Sequence, residues 1–181
     1  MLTGKIMHIV IDGYNLIRQS DQLRSLDRRS LEEGRNALIR FLTPYKKGRR
    51  HAITVVFDAW DGGGPLEERD RQAGIDVIYS RRGKKADDVI KEMVSKGRGE
   101  ETLVVTSDRD VADYAVRRGA TVVSSPEFEE VVTRFHAGEP TAVSGEAADT
   151  DERSWKGTKK KGPSRRLSRS AKDFRNRLKK L

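Results

Sequence analysis

Three aspartates, Asp12, Asp58 and Asp108, each close a short apolar run, and a fourth acidic feature, Asp87-Asp88, opens another. The runs are His8-Ile9-Val10-Ile11, Ala52-Ile53-Thr54-Val55-Val56-Phe57 and Leu103-Val104-Val105-Thr106-Ser107. Apolar runs of this length, bounded by turn signals, suit strands buried on both faces of a parallel sheet. The carboxyl ends of parallel strands share one edge, which is where open α/β sheets bind ligands. Carboxylates brought together there repel one another, and a cation is the usual resolution. The chain has no cysteine, and its three histidines (His8, His51, His136) are scattered. That donor set selects a hard ion, Mg²⁺ or Mn²⁺, over zinc. One or two such ions held by carboxylates can activate water and stabilise charge on a phosphodiester. Asn15, three residues past Asp12, adds an amide oxygen of the same hard type. The same residues also read as local structure: Asp12, Asp87 and Asp88 as helix caps, Asn15 as a turn former.

The elements that would position these groups alternate. Ser20 to Arg29 is polar and reads as a loop or an irregular helix start. Ser30-Leu31-Glu32-Glu33 is a capping box, opening a helix with Leu31, Leu38, Phe41, Leu42 and Tyr45 on one face and an end near Pro44 and the basic Lys46–Arg50 cluster. The second strand ends at Asp58, and Asp61-Gly62-Gly63-Gly64-Pro65 follows as a flexible loop carrying Trp60 at its rim. Ile75 to Tyr79 reads as a third strand nearer an edge. The basic loop Ser80-Arg81-Arg82-Gly83-Lys84-Lys85 leads into a helix from Ala86 to Lys96, ended by Gly97 and Gly99. A fourth strand ends at Asp108, a short helix spans about Asp110 to Arg118, and a fifth strand is Ala120 to Val123. Ser125-Pro126 reads as a cap with proline at the first helical position, opening a helix to about His136. Five strands alternating with helices imply an α/β sandwich around a central, mainly parallel five-stranded sheet.

Charge divides the chain. Residues 151–181 hold 13 Lys or Arg against Asp151, Glu152 and Asp173, a net of +10, while the rest nets −1. A concentrated basic arm is the footprint of a polyanion binder, although a solubilising tail has the same composition. The expected organisation is a globular domain over 1–137, a flexible linker over 138–162 and a basic tail over 163–181 with helix-compatible spacing. No apolar run is long enough to span a bilayer and no signal-peptide pattern opens the chain, so a cytoplasmic protein without membrane contact is expected. No feature fixes an oligomeric state.

Ile11-Asp12-Gly13-Tyr14-Asn15, Val56-Phe57-Asp58, Ala86-Asp87-Asp88-Val89-Ile90 and Val105-Thr106-Ser107-Asp108 together resemble the NYN-domain proteins of the YacP type, within the PIN-like nuclease superfamily. The resemblance covers residues 6 to 137. It implies a PIN-like, Rossmann-like three-layer sandwich and a metal-dependent (endo)ribonuclease; whether cleavage is internal or terminal stays open, as does the RNA, mRNA or rRNA. Carried over, Asp12, Asp87 and Asp108 are the catalytic, metal-holding carboxylates, and Asp88 is a further candidate ligand or a cap. Asn15, Ser107 and Asp110 are supporting groups, and Asp58 lies at the rim. Arg81, Arg82, Lys84 and Lys85 are candidates for gripping RNA phosphates. In the tail, which the resemblance does not cover, Lys159, Lys160, Lys161, Arg165 and Arg166 would add affinity for RNA or the ribosome.

Two other readings stay open. A non-catalytic RNA-binding protein would explain the tail but not the acidic set, which repels phosphate unless a cation intervenes. A phosphatase of the haloacid-dehalogenase type also begins with a strand ending in aspartate, yet it needs a second aspartate where this chain has Tyr14. No Gly-x-x-x-x-Gly-Lys-Ser/Thr phosphate loop occurs.

Overall fold

The computed structural model describes residues 6–59, 64–97 and 101–138. The order is β1 (His8–Asp12), α1 (Gly13–Gln19), α2 (Asp21–Asp27), α3 (Leu31–Gly48), β2 (Ala52–Phe57), β3 (Glu68–Gln72), β4 (Ile75–Tyr79), α4 (Ala86–Lys96), β5 (Thr102–Val105), α5 (Arg109–Arg117), β6 (Thr121–Val123) and α6 (Ser125–His136). The sheet runs β3-β4-β2-β1-β5-β6. All neighbouring pairs are parallel except β3 with β4. The five parallel strands are those expected from the apolar runs.

Side-chain parity decides what each strand end faces, because successive residues of a strand point to opposite sides. Val10, Val56, Ile78 and Val104 pack with Val89, Ile90 and Val94 of α4 and with Val111 and Ala115 of α5. Asp12 shares the parity of Val10, and Asp58 that of Val56, so both continue the α4 side of the sheet. The other layer is built from α1, α2, α3 and α6, where Tyr45 of α3 meets Phe128 and Phe135 of α6 edge-on. The chain's connections leave β1 and β5 toward opposite layers, which makes the crevice beyond their carboxyl ends the topological switch point.

The structure departs from the sequence reading in three places. A sixth strand, β3, is added at the edge. Its sequence, Glu-Arg-Asp-Arg-Gln, is almost wholly exposed and has no apolar alternation to signal a strand. It is held by a two-residue hairpin, Ala73-Gly74, with both φ angles positive (51° and 82°), the conformation that matches strand twist. Residues 21–27 form α2, capped by the Ser20 hydroxyl accepting from Leu23 N at 3.2 Å. Helix α3 runs through Pro44 and ends at Gly48, within the basic cluster expected to end it, and the turn beyond the proline buries Tyr45. Leu31, placed on the buried face by its spacing, is exposed at the helix start.

Linker and tail, apart from Gly138, lie outside the described residues, as do Trp60 and Gly99. Among the described residues no helix is long and apolar enough to cross a membrane.

Candidate acidic site at the carboxyl edge of the sheet

Asp12 ends the central strand and is buried, with one carboxylate oxygen accepting from Asn15 N at 3.1 Å as the cap of α1. The turn is tight because Gly13 has no side chain. A Cβ there would fall 2.3 Å from Cε1 of Phe57 on β2. Burial pushes the Asp12 carboxyl up to about 6, against the pull of the Asn15 amide, and the negative charges of Asp87, Asp58 and Asp108 add to the rise. Asp87, in the first turn of α4, is also raised, first by burial and then by Asp108 and Asp58, with Lys91 and Lys85 opposing. The four carboxylates named from sequence therefore feel one another across the switch point.

Their oxygens are not equally free. Asp58 accepts from Ala86 N at 2.6 Å and so pins the first amide of α4. Asp108 caps α5, accepting from Asp110 N at 2.8 Å and Val111 N at 3.1 Å through the same oxygen. Asp88 is exposed and reaches back to Lys85 N at 3.4 Å, half of a capping box, since lysine has no acceptor to return the bond. It lines a groove between the basic loop, α4 and α5 together with Arg81, Lys84, Lys91 and Tyr114. Asp87 makes no hydrogen bond through its carboxylate among the described residues.

Asn15 serves as support: its side-chain oxygen accepts from Ser107 N, Gln19 Nε2 and the Ser125 hydroxyl. An oxygen with three donors has little left for a cation. Ser107 joins the same network, its hydroxyl donating to Gln19 Oε1 at 3.0 Å and accepting from Ser125 N at 3.2 Å. Asp110 is ion-paired with Lys91. Of the basic loop, Arg81, Arg82 and Lys85 are exposed, while Lys84 is ion-paired with Glu92 at 2.7 Å. Lys91 escaped the sequence reading. Its place five residues after Ala86 carries no motif, yet it stands between Asp110 and Asp87.

The donor chemistry fits a hard divalent ion, since the buried Asp12, the half-buried Asp87 and Asp108 and the exposed Asp58 repel one another at this edge without sulfur or imidazole beside them. The geometry is open, however: among the described residues no group of three or more acidic or histidine side chains is arranged to hold an ion. Mg²⁺ tolerates that, because it keeps several waters and needs only one or two direct carboxylates.

Residues 9–178 match the YacP-like NYN domain family. This chain belongs to that family. Within it, the chain is 33% identical over 85 residues to the uncharacterized protein YacP of Bacillus subtilis (strain 168), a stretch covering 47% of this chain and only about half (49%) of that relative. Its fold is similar to the crystal structure of Rae1 (YacP) from Bacillus subtilis, with TM-score 0.59 and 28% identity over 74% of this chain and 79% of the other. A mutant of the same protein gives TM-score 0.61 at 26% identity, over 72% and 77% of the two chains. The YacP-like NYN family carries a PIN-like, nuclease-type fold, and the carboxyl edge of the sheet is where such a fold places its site.

Proposed function

We propose that this protein is a metal-dependent endoribonuclease that hydrolyses phosphodiester bonds of RNA, mRNA or rRNA, in the cytoplasm. The observation that carries the reading is Asp12, a buried carboxylate at the end of the central strand, raised by burial and by three further carboxylates. Asp12, Asp87 and Asp108 would hold Mg²⁺ or Mn²⁺, Asp87 having the freest oxygens. A divalent ion bound there supplies water activation and neutralises charge on the phosphate. Asp58 fixes the start of α4 and so the position of Asp87. Lys91 keeps Asp110 occupied and moderates Asp87. Arg81, Arg82 and Lys85 contact flanking phosphates, and Lys159, Lys160, Lys161, Arg165 and Arg166 of the tail add affinity for RNA or the ribosome.

The open ligand geometry favours one competing reading, a non-catalytic RNA- or ribosome-binding protein. Cleavage of a labelled single-stranded RNA with Mg²⁺ or Mn²⁺ decides between them, compared with EDTA and with Asp12→Asn. Loss of cleavage in both controls is expected. A folded Asp12→Asn protein that cuts at the wild-type rate would end the hydrolytic reading.

A further inference from the structure

Helix α3 brings one cation to the acidic edge that no motif announced. Arg35, half-buried in the second turn of α3, meets two tyrosines: Nη1 donates to the Tyr14 hydroxyl at 3.3 Å, and the guanidinium lies over the Tyr79 ring, 5.4 Å from its centroid. Tyr14 follows Asp12 by two residues and Tyr79 ends β4, so Arg35 stands at the same sheet edge as the carboxylates. Phe57 stacks on Tyr79 (5.7 Å, 20°) and meets Tyr14 edge-on (5.1 Å), which makes a rigid aromatic support. Arg18 lies over the Tyr14 ring, 5.6 Å from its centroid, and adds a second guanidinium.

Arg35 has no counter-ion among the described residues: no carboxylate of theirs is within ion-pair distance of it. Burial raises the Tyr79 hydroxyl, Arg35 opposes that rise, and Asp70 and Glu68 of β3 add to it, so those acids face the tyrosine without pairing with the arginine. A guanidinium offers five N–H donors in a planar fork, and Tyr14 takes one. A half-buried cation with spare donors, and with no carboxylate at ion-pair distance among the described residues, gains from the arrival of an anion.

Resting on the hydrolytic reading above, we propose that Arg35 is a receptor for a backbone phosphate of the RNA, on the β2–β4 side of the acidic group. The fork binds phosphate in a bidentate manner, which an ammonium cannot do. The strand is thereby held with one phosphate on Arg35 and its neighbours toward Asp12.

The test uses the full chain, with a labelled single-stranded oligoribonucleotide as probe. Cleavage kinetics are measured with Mn²⁺, and equilibrium binding across a salt series with Ca²⁺ as the only divalent ion. For Arg35→Gln, KM is expected to rise roughly tenfold with a much smaller change in kcat. The slope of log Kd against log salt should become shallower by about 0.7. Arg35→Lys is expected to restore the slope while leaving KM raised, because charge returns without the fork. Lost packing alone would lower the melting temperature and leave the slope untouched. A folded Arg35→Gln protein with wild-type KM and slope overturns the proposal. If that variant does not fold, wild-type KM in Arg35→Lys overturns it instead. Should the wild type fail to cleave while the slope still depends on Arg35, the hydrolytic reading falls and the phosphate receptor stands.

Discussion

The Asn15 side-chain oxygen accepts the Ser125 hydroxyl at 2.7 Å, joining the start of α1 to the start of α6 across 110 positions of sequence. The same oxygen takes Ser107 N at 3.0 Å, in the turn that leads to Asp108. Asn15 therefore ties the end of β1, which carries Asp12, to the turn between β5 and α5, which carries Asp108. Asn15→Ala would leave the fully buried Ser125 hydroxyl and the Ser107 amide without their acceptor. It is expected to cost about 2–3 kcal/mol in urea unfolding. Asn15→Asp keeps the acceptor and should recover most of that.

Asp12 sets a pH dependence whose sign is the reverse of the usual stabilising carboxylate. Its carboxyl is raised from 3.8 to about 6, so between those values the folded protein keeps a proton that the unfolded chain has released. Metal-free stability should therefore fall as pH rises through that window and then level off. At about 1.4 kcal/mol per unit, the ionised carboxylate costs on the order of 3 kcal/mol near neutrality. Asp12→Asn should melt higher than wild type at about pH 7 and show a weaker decline, while losing cleavage. Thermal melts across pH, made with EDTA, check this.

A cation that relieves the repulsion should reverse that loss. Adding Mg²⁺ or Mn²⁺ near neutral pH is expected to raise the melting temperature of the wild type, since an ion that binds only the folded state stabilises it by mass action. EDTA should return the original value. Asp12→Asn and Asp87→Asn should respond weakly or not at all.

Asp87 and Asp88 are adjacent but separable. Asp88 is exposed and engaged with Lys85 N, whereas Asp87 feels Asp108 and Asp58. Asp88→Asn should cost at most about 1 kcal/mol and leave cleavage near wild type. Asp87→Asn should abolish cleavage without lowering stability. Equal loss of cleavage in the two variants would show that Asp88 is also a ligand.

Gly13→Ala tests the turn itself. A Cβ placed 2.3 Å from the Phe57 ring forces the strand end or the ring to move, at a cost of roughly 1–3 kcal/mol. Activity should fall further than stability, because the atom displaced is next to Asp12. Unfolding curves and cleavage rates on the same preparation separate the two.

Much of this arrangement was legible from residue order. The apolar runs before Asp12, Asp58 and near Asp108 located the parallel strands, since a strand buried on both faces leaves a continuous hydrophobic record. The carboxylates followed as strand ends sharing an edge. β3 left no such record, because Glu68 to Gln72 is ordered by hairpin hydrogen bonds and not by burial. Arg35, Lys91 and Ser125 matter through contacts made across the fold, so their spacing to the motifs carries no information.

β1, which carries Asp12, has β2 on one side and β5 on the other, one of the two innermost places in the sheet. Its amide hydrogens, flanked on both edges by paired backbone, exchange with solvent only when the sheet opens as a whole. Edge strands such as β3 and β6 are free to fray first without disturbing it. Warming would thus loosen the rim of the sheet well before the central carboxylate, whose setting is lost only when the fold itself melts.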